Sequence, residues 1–205
     1  MIRLHRVTIV LVGILLAAGC GEEADSPSGP DPVEGQGIPI QLVDPDQVIA
    51  SVAMAWEHRD SAAMSALLAP DFRFYIRDDE ATEFPWLPQA FWDLATELGF
   101  AGNMFDPDFT GANPPVQSIE FQFQVLDGSQ PQPGTYERKL DAVITVLTGP
   151  ADGWRADTRF DLVIREQPDG FLRLSEMREI PSFARRGESG GAESSSWGAV
   201  KNLYR

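Results

Sequence analysis

Nucleophilic and thiolate chemistry draws on cysteine and histidine, and the 205-residue chain holds one Cys, Cys20, and two His, His5 and His58. A zinc site, a disulfide or a Cys/His dyad needs these types in clusters. One Cys excludes a disulfide, one Cys and two His fall short of the ligand set of a structural zinc site, and no Gly-x-Ser-x-Gly elbow offers a serine instead. Asp78-Asp79-Glu80 and Asp106-Pro107-Asp108 carry oxygen ligands but lack the alternating acids and terminal Glu of a calcium loop. The reading is no catalytic residue, no metal and no cofactor, with His58 as a surface group near a helix end.

Charged residues on strands remain. Asp161 alternates with Arg155, Asp157, Arg159 and Arg165, and Asp141 keeps register with Glu137 and Lys139, the pattern of a solvated sheet face laced by cross-strand ion pairs. Arg138 and Glu176 fall in the phase of apolar neighbours, Leu140 and Ala142 for the first, Leu172 and Leu174 for the second. If both point inward they pair or orient a polar ligand group; a β-bulge would return either to solvent.

The elements that must position these residues follow from period and punctuation. Asp44-Pro45-Asp46-Gln47 opens a helix with Val48, Ile49, Val52 and Trp56 on one stripe, and Asp60 caps a second with Ala63, Met64, Leu67 and Leu68 inward. Phe72, Phe74 and Ile76 alternate with polar residues in a strand. Leu87, Phe91, Leu94 and Leu98 predict a third helix over 85–98, followed by an irregular loop over 99–115. Four long strands complete the pattern, around 119–125, 140–146, 154–164 and 171–180. Helices first and antiparallel strands last make this an α+β domain, a helical layer packed against a curved sheet.

Both ends read differently. Arg3 and Arg6 precede an apolar run over 7–16, too short to span a bilayer and shaped like an export signal over 1–19. Residues 20–37 are rich in Pro, Gly, Ser and acid, a disordered tether below a folded domain over 38–181. A linker over 182–195 leads to a short helix over 196–205, capped by Ser196, in which Trp197, Val200 and Leu203 share a face. A helix this short needs a docking surface; it is expected to pack on its own domain, with a protein partner as the alternative. The formal charge is −15, and losing residues 1–19 removes two Arg and no acid, leaving −17. Such a surface excludes nucleic acid as a partner.

Ala17-Ala18-Gly19-Cys20 resembles the lipobox of bacterial lipoproteins. The resemblance implies a lipidated Cys20 after cleavage and a membrane anchor in the cell envelope, on the outer membrane facing the periplasm because Gly21 is not Asp. The order of helices and strands, with the entry segment AWEHRDSAAMSALLAPDFRFYIRD, is similar to the cone-shaped fold of the nuclear transport factor 2-like superfamily, SnoaL-like cyclases included. That resemblance implies a pocket at the open end of the cone, here lined by Phe72, Phe74, Ile76, Trp86, Phe121 and Phe123, with Arg138 and Glu176 at its mouth. It implies a small hydrophobic ligand or a protein partner, and leaves a homodimer open. The Tyr and Asp of the isomerase branch match Val52 and Ile76, which neither move a proton nor hold an oxyanion. An enzyme working through Arg138 and Glu176, and a scaffold with no ligand, are the alternatives.

Overall fold

The computed structural model describes residues 37–150, 152–181 and 193–205, and leaves aside the side chains of 181, 193 and 194. The export signal, Cys20, almost all of the tether and most of the predicted linker lie outside the described residues.

Helix α1 runs over Pro45–Glu57, with Asp44 as N-cap and Pro45 in the first turn; the Asp44 carboxylate accepts from the Asp46 N–H. The predicted stripe is the buried one: Val48, Ile49, Val52 and Trp56. Helix α2, Ser61–Leu67, is capped by Asp60, whose carboxylate accepts from the Ala63 N–H. Strand β1, Leu68–Tyr75, starts directly after α2 and runs through Pro70.

The third helix departs from expectation. Residues 78–83 form a 3-10 turn, β2 covers Phe91–Asp93, and α3 runs over Leu94–Phe105, seven residues beyond the predicted end. The start is set by Asp93, whose side chain accepts from both the backbone N–H and the hydroxyl of Thr96. Gly99 and Gly102, which read as breakers, stay helical because Phe100, Ala101, Met104 and Phe105 bury the face between them. Packing overrides propensity here.

Strands β3 (Ser118–Gln132), β4 (Thr135–Leu147), β5 (Gly153–Glu166), β6 (Leu172–Pro181) and β7 (Glu193–Ser195) follow. Among the described residues seven strands form one sheet in the order β2-β1-β6-β5-β4-β3, with β7 beside β5. β1 lies parallel to β6 and β7 parallel to β5; the other neighbours are antiparallel. The α+β expectation holds, and α1 and α3 pack on the inner face of this sheet to build one core within Gly37–Arg205. The outer face carries the predicted ion pairs, such as Arg159 with Asp141 at 2.8 Å.

The last element is α4, Trp197–Asn202, capped by Ser196, whose hydroxyl accepts from the Ala199 N–H. It packs on its own domain. Its buried face is Trp197, Val200, Lys201 and Tyr204; Leu203, predicted inward, is 37% exposed. A lysine takes the place expected of a leucine.

Candidate functional site

The register of β6 decides which acid enters the cone. Val163 pairs with Glu176 but Ile164 pairs with Leu174, so Ser175 is an extra residue. This bulge switches the inward phase from Leu172 and Leu174 to Ser175, Met177 and Glu179. Glu176 therefore stands on the outer face, where Arg165 donates to it at 2.6 Å. Arg138 keeps the inward phase but lies at the rim, where its Nε donates to Asp46 on α1 at 2.6 Å. The predicted Arg138–Glu176 pair does not form.

Inside the cone a different set converges. The Lys201 ammonium is fully buried and donates to both oxygens of Glu97, at 2.9 and 2.8 Å. Glu97, on the inner face of α3, also accepts from Trp92 Nε1 at 2.6 Å. Aromatic rings surround the ammonium: Phe74 with its centroid at 3.5 Å, Trp92 at 4.9 Å, Trp197 at 5.4 Å and Trp56 at 6.0 Å. Each ring presents electron density to the cation. The Phe74 and Trp92 rings are stacked at 4.4 Å, which aligns two of these walls.

Glu179 meets the start of α4. Its two oxygens accept from the Trp197 and Gly198 N–H groups, both at 2.8 Å, satisfying backbone donors that a helix leaves open at its first turn. Burial pushes its carboxyl above the ordinary value, opposed by these N–H donors and by Lys201. Burial likewise pushes the Lys201 ammonium down, while the charge and hydrogen bonds of Glu97 hold it up. The rest of the tail is gripped as closely. Ser196 donates to Glu80 at 2.6 Å, Trp86 Nε1 donates to Asn202 at 3.0 Å, and Asn103 and Asn113 donate to the carbonyls of Tyr204 and Leu203 at 2.8 and 2.7 Å. Tyr204 donates to the Pro114 carbonyl at 3.0 Å, and burial pushes its phenol up to about 12.

The predicted lining residues scatter around this centre. Phe74 is a wall of the cage, Trp86 holds α4, and Phe121 meets Trp197 edge-on at 6.5 Å. Phe72 and Ile76 are core residues at 1% and 3% exposure, and Phe123 packs partly buried against Phe121. Beneath α1, between Val52, Phe121, Leu162 and Met177, the free room is ≈ 20 Å³, about one water molecule's worth. On the outside, a depression of ≈ 330 Å³ opens between Ile76, Asp78, Asp79 and Arg178, with Glu179 on its wall.

Glu97, Glu179, Lys201 and the cage tryptophans Trp56 and Trp197 were not singled out as binding groups by sequence. Three signals point to them in retrospect. Glu97 stands at helical spacing with Phe100, Ala101 and Met104, Lys201 with Trp197 and Tyr204, and the apolar phase of β6 changes between Leu174 and Met177.

No family model and no curated protein matches the chain. Solved structures do. A conserved protein from Planctomyces limnophilus is 13% identical with a TM-score of 0.51, over 67% of this chain and 94% of that one. A nuclear transport factor 2-like protein of unknown function in nutrient uptake, from Rhodospirillum rubrum, is 12% identical with a TM-score of 0.50, over 69% of this chain and 100% of that one. At such identities the likeness carries the architecture and no activity. Helices packed inside a curled, mostly antiparallel sheet, in this order, give the chain the nuclear transport factor 2-like fold.

Proposed function

We propose that the chain is a lipid-anchored protein of the cell envelope whose cone is a self-closed binding domain and scaffold, not an enzyme. One observation carries this reading: the inside of the cone is occupied by the chain's own tail, with Trp197, Lys201 and Tyr204 all at 0% exposure. Glu97 and Lys201 are sealed among aromatic rings and committed to each other, and both oxygens of Glu179 are committed to the α4 backbone. A substrate has no route to Glu97 or Lys201 while α4 is seated.

A resident hydrophobic ligand is disfavoured on the same ground. Small-molecule pockets run to roughly 300–1,000 Å³, against ≈ 20 Å³ beneath α1. Protein contact through the outer surface, including the exposed edge at Val125 and Leu126 on β3, remains open to the domain. The anchor is proposed from Cys20 and the residues before it, since one envelope-exported cysteine with no partner thiol is suited to acylation.

Native mass spectrometry of Gly37–Arg205, purified from its host, tests the self-closed reading. The expected spectrum has the mass of the chain alone; a reproducible small molecule that denaturation removes would contradict it. For the anchor, Cys20→Ala should move the full chain from the membrane to the soluble fraction, and retention would contradict lipidation.

A further inference from the structure

The tail makes the contacts of a bound ligand more than those of a core element. It is recognised through side chains reaching from the walls to its backbone: Glu179 to two N–H groups, Asn103 and Asn113 to two carbonyls. Its one charged buried group is an ammonium that donates to both oxygens of Glu97 and has a ring centroid 3.5 Å from the nitrogen. The fit is imperfect on the occupant's side, because Trp197 Nε1 is buried with no acceptor among the described residues.

A buried ion pair is a poor way to add stability, since apolar residues of the same volume usually do as well or better. A cage of stacked rings closed by one carboxylate is, by contrast, the arrangement that selects organic cations from water. Its chemistry narrows the class. Two hydrogen bonds to Glu97 require N–H donors, which a quaternary ammonium lacks. The lysine stem reaching Nζ among the Trp197 and Phe74 rings leaves space for an unbranched alkyl chain.

Resting on the self-closed reading above, we propose that Glu97, Phe74, Trp92 and Trp56 form a binding site for a primary alkylammonium group, held in this structure by the chain's own Lys201. The site takes a protonated, unbranched amine, of the size and shape of a lysine side chain.

Chemical rescue of a vacated site tests this. Lys201→Ala in Gly37–Arg205 removes three carbons and the nitrogen, the size of n-propylammonium. Adding n-propylammonium should raise the unfolding temperature of this variant saturably, half-maximal on the order of 1 mM as befits a ligand of four heavy atoms. Equal concentrations of n-propanol or tetramethylammonium should not, and neither should propylammonium with the wild-type chain, whose site is filled. Glu97→Gln added to Lys201→Ala should abolish the effect. If the variant does not fold alone, its near-ultraviolet circular dichroism should return with propylammonium and not with propanol. A chain that stays unfolded in both, no saturable shift, or an equal shift in the Glu97→Gln double variant overturns the proposal. Failure here would leave the mass of the purified wild-type domain unchanged, so it is distinguishable from failure of the self-closed reading.

Discussion

Lys201 and Glu97 show how far a single residue's environment departs from what its type suggests. Breaking a buried pair by removing one partner strands the other charge, at a cost of about 3–5 kcal/mol. Lys201→Met should therefore destabilise Gly37–Arg205 by about that much in urea unfolding. Glu97→Met with Lys201→Met should recover most of the loss, and a double variant no better than the single would deny the coupling. Glu179 supplies a pH signature. Between the ordinary carboxylate value of 4.5 and its raised value in the fold, the folded chain keeps a proton that the unfolded chain has released, so stability from this group falls as pH rises through that window. The stability of wild type relative to Glu179→Gln should accordingly decline from pH 4 upwards, read as urea midpoints; a relative gain with pH would contradict it. None of these residues was named from sequence as a binding group, for a physical reason. Lysine and glutamate are almost always solvated unless paired, and the pairing partners lie 104 positions apart.

At the scale of elements, local rules worked where local chemistry decides. Asp44, Asp60 and Ser196 were legible as caps because an N-cap is a short-range hydrogen bond, and all three bond as expected. Asp93 was missed because Leu87, Phe91, Leu94 and Leu98 mimic a helical stripe while two of them belong to other segments. Asp93→Ala should cost about 1 kcal/mol as a lost cap. The bulge at Ser175 carries the larger consequence. It turns Glu176 out and Glu179 in, and period-two reading across it fails by construction, since one inserted residue exchanges the two faces. Deleting Ser175 should restore strict alternation, carry Met177 and Glu179 outward and abolish cooperative unfolding. By contrast Ser175→Ala should be neutral or stabilising by up to about 1 kcal/mol, because the Ser175 hydroxyl is buried without a partner among the described residues. A Ser175→Ala variant destabilised by more than that would mean the hydroxyl is in fact satisfied.

For the whole molecule, the order of elements was enough to give the α+β cone, because helices and strands of these lengths bury their faces in few ways. What filled the cone was not legible. The tail helix was expected to dock on its own domain, and it does, but docking inside the cone depends on contacts between α4 and β1, α3 and β5, all distant in sequence. The consequence for function is a domain whose interior is occupied by its own tail. The central claim is that α4 is seated there in solution. Hydrogen exchange of Gly37–Arg205, followed by mass spectrometry on the 196–205 peptide, tests it most directly. If the cone is self-closed, the amides of Trp197, Gly198, Ala199 and Val200 should exchange as slowly as those of core strand β5, in the opening regime of the whole domain. Exchange at the rate of a free peptide would mean that the tail stands outside and the cone is open.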